Sequence, residues 1–71
     1  MATTTYGVNG MTCEHCVHAV TQELSKLDGV QKVQVSLENG TATVDSAQPL
    51  EEQDVRAAID EAGYELTGVL G

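Results

Sequence analysis

The hydrophobic pattern of this chain changes period across one seven-residue stretch, Gly10-Met11-Thr12-Cys13-Glu14-His15-Cys16. Before it, residues 3–9 read Thr-Thr-Thr-Tyr-Gly-Val-Asn, with Tyr6 and Val8 on one alternating face, as in a half-buried strand. After it, Val17, Val20, Leu24 and Leu27 recur at spacings of three and four, the stripe of an amphipathic helix. Asp28-Gly29 stops that helix, because a glycine just past a helix end takes the left-handed conformation at little cost.

Val33, Val35 and Leu37 then alternate with Gln34 and Ser36 in a second strand that starts near Val30. Asn39-Gly40 predicts a two-residue hairpin with positive φ at both central residues, returning into a strand over residues 41–45. Pro49 belongs at or before the first turn of a helix that starts near residues 49–52, carries Val55, Ala58, Ile59 and Ala62 on its apolar face, and ends at Gly63. Tyr64, Leu66 and Val69 form a short last strand. The order β-α-β-β-α-β with right-handed crossovers predicts an α+β, ferredoxin-like sandwich: a four-stranded antiparallel sheet with two helices on one face. Seventy-one residues make this a single domain, expected to occupy residues 1–71.

Three basic residues against eleven acidic ones leave a formal net charge of −8, which opposes phosphate backbones and anionic lipid. With two Tyr and no Phe or Trp there is also no aromatic platform for bases, so nucleic acid and direct membrane binding are disfavoured. The first residues lack the basic and then apolar run of a secretory signal, and no apolar stretch approaches the roughly 20 residues of a membrane span. The expected location, for a complete gene product, is cytoplasmic. There the two cysteines stay thiols, and a bridge between Cys13 and Cys16 would close too short a loop to restrict the unfolded chain.

Cys16 falls in or just before the first helical turn, where unpaired N–H groups and the helix dipole favour its thiolate. Cys13 lies in the loop before it. The spacing lets both sulfurs face one ion from one side, and two soft donors at low coordination favour Cu(I). Structural zinc normally takes four protein ligands. His18 is read as a plain surface residue, since two residues along a helix turn it about 200° from Cys16. His15 lies exposed between the cysteines, either a solvated loop residue or one able to approach the metal. Glu14 is read as a solvated acid. Met11 is expected to plug the loop onto the core, and Tyr64 either packs in the core or covers the sulfurs from a neighbouring loop.

The string Gly10-Met11-Thr12-Cys13-Glu14-His15-Cys16, followed by Gly29-Val30, Asn39-Gly40 and Ala62-Gly63-Tyr64, resembles the heavy-metal-associated domain family, and within it the small bacterial copper chaperones. The resemblance runs from about Thr5 to Leu70. It implies Cu(I) on Cys13 and Cys16, buried support from Met11, and transfer to the metal-binding domain of a copper-transporting P-type ATPase. It also implies a bacterial type from Tyr64, where eukaryotic chaperones carry Lys, and the copper branch from Thr12, where zinc relatives often carry an acid. Eukaryotic chaperones are often basic on the docking face, so an acidic chain implies a basic patch on the target.

The function expected is a carrier without enzymatic activity, monomeric when empty, in which an incoming partner cysteine joins as a third ligand before one original sulfur leaves. Two molecules sharing copper across facing cysteine pairs, helped by His15, is a further expectation left open. Rival readings are a metal-binding domain cut from a larger ATPase, delivery to a copper-responsive regulator, and a carrier of Hg or Zn, softness alone not separating Cu(I) from Hg(II). Met1 and the stop after the last strand favour a free-standing protein. A thiol–disulfide oxidoreductase is disfavoured because the chain is short for a thioredoxin-like fold, its element order differs, and Pro49 is the only proline.

Overall fold

A computed structural model describes residues 2–71. Its elements are β1 (Ala2–Asn9), α1 (Glu14–Ser25), β2 (Val30–Ser36), β3 (Thr41–Ser46), α2 (Glu52–Glu61) and β4 (Glu65–Val69). The strands form one antiparallel sheet in the order β2-β3-β1-β4, so both crossovers pass through helices and the two central strands are β3 and β1. This is the ferredoxin-like arrangement that the alternating periods predict.

One core explains why both helices share a face. Tyr6 and Val8 of β1, Ala42 and Val44 of β3 and Leu66 of β4 meet Val20 and Leu24 of α1 and Val55, Ala58 and Ile59 of α2 in a single buried cluster. Leu24, Ile59, Val20 and Val55 are fully enclosed, and each such aliphatic side chain contributes about 1.5–3 kcal/mol of burial. The opposite face of the sheet carries polar pairs: the Thr3 hydroxyl donates to Asp45 at 2.7 Å and the Thr5 and Thr43 hydroxyls lie 3.1 Å apart.

Several boundaries differ from the sequence expectation. Helix α1 ends at Ser25, capped by Lys26, so Leu27 packs on the core from beyond the helix rather than from its stripe. Pro49 lies outside α2, because Glu51 is the capping residue and the first helical turn starts at Glu52. The central hairpin is not the two-residue turn that Asn39-Gly40 predicts. Ser36 pairs with Thr41, leaving a four-residue loop over 37–40 in which only Gly40 has positive φ (65°). The Asn39 N–H donates to the Ser36 hydroxyl at 3.2 Å, which stabilises the longer loop without forcing Asn39 left-handed. Leu37 is therefore a loop residue, 37% exposed, and not the last core position of β2.

The loop over 37–40 and the junctions β1–α1 and α2–β4 all lie at one end of the sheet. The Val8 N–H donates to the Gly40 carbonyl at 2.8 Å, and Asn9 pairs with Glu65. The other end holds the α1–β2 and β3–α2 connections, tied by the Ala47 N–H donating to the Gly29 carbonyl at 2.8 Å.

Candidate metal centre

Both cysteines stand at the start of α1 with different surroundings. Cys13 is the capping residue, with extended backbone (φ −157°, ψ 174°), and its carbonyl accepts the Cys16 N–H at 3.0 Å and the Val17 N–H at 3.4 Å. Its side chain makes no capping hydrogen bond and is exposed. Cys16 sits in the first helical turn and is 6% exposed. It is the first rung of the buried ladder Cys16, Val20, Leu24, one rung every four residues. The clamp expected to be exposed at both sulfurs is thus open only at Cys13.

The two Sγ atoms are 3.6 Å apart. At a metal–thiolate length of about 2.3 Å, that separation already brackets one ion at an S–metal–S angle of about 100°, and a linear arrangement needs about 1 Å more. Cys13 is the exposed one of the two side chains and Cys16 the buried one.

Cys16 is held by its neighbours. Its Sγ accepts the Thr12 backbone N–H at 3.4 Å, with the Thr12 hydroxyl at 3.9 Å. The Thr12 N–H is the largest of the influences that bring the Cys16 thiol from its ordinary 9.0 down to about 6; the Tyr64 hydroxyl comes next, burial acts against them, and the Cys13 backbone and side chain add to the lowering. Thr12 was read from sequence only through family resemblance. Its contribution here is mainly a main-chain donor, which side-chain identity does not announce.

Tyr64 reaches the sulfur by way of the end of α2. Beyond the capping residue Ala62, the Gly63 N–H donates to the Asp60 carbonyl at 2.9 Å and the Tyr64 N–H to the Ile59 carbonyl at 3.1 Å, a six-residue wrap that satisfies the last carbonyls and fixes where residue 64 emerges. The side chain packs against the core, and its hydroxyl acts on the Cys16 thiol. Its phenol is pushed above the ordinary 10.0 first by hydrogen bonding with Cys16, then by burial and by the negative charge of both cysteines. Gly10 makes the approach possible: with φ 99° it takes a conformation that side chains disfavour, and a Cβ there would stand 3.3 Å from the Tyr64 ring.

Met11 is partly buried and packs against the core cluster beneath the loop. His15, His18 and Glu14 are exposed. Among the described residues, no group of three or more His, Cys, Asp or Glu side chains is placed to hold a metal ion together. Among those residues, too, no helix is long and apolar enough to cross a membrane.

Residues 5–65 match the family described as heavy-metal-associated domain. The chain belongs to that family. As a heavy-metal-associated domain it is 43% identical over 67 residues to the copper chaperone CopZ of Staphylococcus saprophyticus, covering 93% of this chain and 98% of that protein. It is 42% identical over 69 residues to copper-transporting ATPase 2 of Homo sapiens, covering 96% of this chain but 5% of the ATPase. A solved CopZ metallochaperone superposes with a TM-score of 0.85 at 33% identity, over 93% of this chain and 100% of that one. The βαββαβ architecture is shared with that structure.

Proposed function

We propose that this heavy-metal-associated domain is a copper carrier, without enzymatic activity, that holds Cu(I) between Cys13 and Cys16 and surrenders it by ligand exchange to the metal-binding domain of a copper-transporting P-type ATPase. The observation that carries the reading is the unequal pair: two sulfurs 3.6 Å apart, the buried Cys16 held by the Thr12 N–H and the Cys13 side chain exposed. Soft sulfur donors at low coordination suit Cu(I), and a two-ligand site leaves room for an incoming third sulfur. Cys13 is then the ligand that a partner thiolate displaces first, while Cys16 keeps the ion in place until transfer completes. Met11 braces the loop from the core, Tyr64 and the Thr12 N–H satisfy the Cys16 sulfur, and exposed His15 is an auxiliary group beside the opening.

The names of the relatives support copper as the cargo and an ATPase domain as the receiver. The near-complete coverage of a whole chaperone favours a single-domain carrier over residues 1–71, and we propose that it works in the cytoplasm and is monomeric when empty. The comparable identity to a segment of an ATPase supports a second reading, in which this domain works as the copper-receiving module of a longer protein.

The test is anaerobic Cu(I) titration against a competing chelator. The wild-type chain is expected to retain one Cu(I), and Cys13→Ser and Cys16→Ser each to lose retention by at least about a hundredfold, since each removes one of the two soft sulfur ligands. Retention unchanged in both variants refutes the assignment.

A further inference from the structure

The chain has two asparagines, Asn9 and Asn39, and each is followed by a glycine. An Asn-Gly pair can react with itself, because glycine leaves its amide nitrogen unshielded by a side chain and the asparagine amide carbon is one five-membered ring away. The fold treats the two pairs differently.

In the loop over 37–40, Asn39 is exposed and Gly40 half-buried. Both flanks of this pair are anchored: the Asn39 N–H donates to the Ser36 hydroxyl at 3.2 Å, and the Gly40 carbonyl accepts the Val8 N–H at 2.8 Å. The peptide group between those anchors is unbonded. Among the described residues the Asn39 carbonyl accepts no hydrogen bond, the Gly40 N–H donates none, and the Asn39 side-chain amide has no partner. That peptide can turn toward the side chain without breaking a hydrogen bond. The loop also requires glycine here, since Gly40 has φ 65° and a Cβ on it would stand 3.3 Å from the Val8 carbonyl oxygen.

Asn9-Gly10 has the same composition in the opposite setting. Asn9 is a residue of β1, paired with Glu65 in the β1–β4 ladder, and Gly10, at φ 99°, is backed by the Tyr64 ring. Turning the peptide between them would loosen the end of β1 from the sheet.

We propose that Asn39-Gly40 is a self-modifying site, its unbonded peptide free to close on the Asn39 side chain, whereas strand pairing keeps Asn9-Gly10 from the same reaction. The Gly40 nitrogen gives its proton to a hydroxide ion and bonds to the Asn39 side-chain carbonyl carbon. The bond from that carbon to the amide nitrogen breaks, and the nitrogen takes a proton from water and leaves as ammonia, which restores the hydroxide. One water then opens the five-membered imide. Opening on the side-chain side gives aspartate at position 39, and opening on the main-chain side gives isoaspartate. Nothing is oxidised or reduced.

The product alters the metal end without touching either cysteine. It sets a new carboxylate beside Glu38, and in the isoaspartate form the main chain runs through one extra carbon before Gly40. The Gly40 carbonyl shifts with it, and the Val8 N–H loses the acceptor that ties this loop to β1 just ahead of the metal loop. The inference stands on the fold and is independent of which ion the cysteines carry.

The experiment ages the reduced, metal-free full chain at mildly alkaline pH, beside a second sample in concentrated urea. Trypsin, cutting after Lys26, Lys32 and Arg56, then delivers Asn9 in fragment 1–26 and Asn39 in fragment 33–56. Mass spectrometry reads the gain of about one dalton as amide becomes acid, and an isoaspartate-directed methyltransferase with S-adenosylmethionine reads the isomer. In the folded chain, fragment 33–56 is expected to convert at least about tenfold faster than fragment 1–26, and in urea the two rates should come within about threefold. Asn39→Gln, whose longer side chain closes the ring poorly, should abolish the gain in 33–56 and leave 1–26 unchanged; the comparison of the two wild-type fragments stands without that variant.

Comparable rates for both fragments in the folded chain would show that composition, not the fold, decides, and overturn the proposal. So would a fragment 33–56 that stays unmodified in the folded chain while the urea sample converts. The isoaspartate form, separated chromatographically, should exchange its Val8 amide hydrogen about three- to tenfold faster than the fresh chain. An unchanged Val8 rate overturns the coupling to β1.

Discussion

The Cys16 thiol offers the most direct check on how the metal loop works. A thiol with a pKa of about 6 is about 90% ionised at pH 7, whereas one at the ordinary 9.0 is about 1% ionised. The perturbation is a titration of Cys13→Ser, which leaves Cys16 as the only cysteine and removes the smallest of the lowering influences along with any coupling between the two sulfurs. Thiolate absorbance near 240 nm should show a midpoint close to or a little above 6 in the folded protein, returning to the ordinary value in concentrated urea. Adding Tyr64→Phe removes the second largest influence and should move the folded midpoint upward without reaching 9.0, because the Thr12 N–H remains.

The sign of the linked stability follows from the same shift. The folded pKa lies below the unfolded one, so the ionised sulfur stabilises the fold fully above pH 9 and progressively less as pH falls toward 6. Urea midpoints of Cys13→Ser should therefore decline over that window, more steeply than those of Cys13→Ser, Tyr64→Phe. Measurements stay below about pH 9.5, because the raised Tyr64 phenol works in the opposite sense at higher pH: its contribution is full below 10 and is lost as it ionises. A single folded-state transition near 9 would refute the account of how Thr12 and Tyr64 hold the sulfur.

Three further outcomes follow from the packing. Leu24→Ala removes a fully enclosed side chain between α1 and the sheet and should cost about 2–5 kcal/mol in denaturant unfolding. Gly10→Ala places a Cβ 3.3 Å from the Tyr64 ring at φ 99°; it should destabilise by about 1–3 kcal/mol and raise the Cys16 midpoint as the hydroxyl is displaced, so an unchanged titration would separate the glycine from the sulfur. Glu61→Lys relieves the unfavourable end of α2 and should stabilise the metal-free chain by about 0.3–1 kcal/mol in thermal unfolding.

The architecture was legible because each element announces its buried face through periodicity, and the glycines at the ends of the helices mark where the chain turns. Where the reading went astray, a local bond outweighed a local propensity. Asn39-Gly40 has the composition of a tight turn, yet the Ser36 hydroxyl captures the Asn39 N–H and lengthens the loop, which takes Leu37 out of the strand. The burial of Cys16 was available in the sequence: extending the Val20 and Leu24 ladder one step back lands on it, but a cysteine read only as a ligand was not counted as a core residue. Tyr64 was a candidate from the sequence because it follows the helix-ending Gly63, whereas the Thr12 N–H is a main-chain donor and leaves no trace in residue pattern.

Because Cys16 belongs to the same ladder as Val20 and Leu24, whatever grips its sulfur also grips the interior. An ion that binds the folded cysteine pair more tightly than the unfolded chain raises the free energy of unfolding by mass action. In a cell that degrades opened chains, the empty form is the one that proteases reach first. On the proposed copper-carrier function, the lifetime of the protein follows the supply of Cu(I), and scarcity of the ion removes the empty form without any dedicated signal.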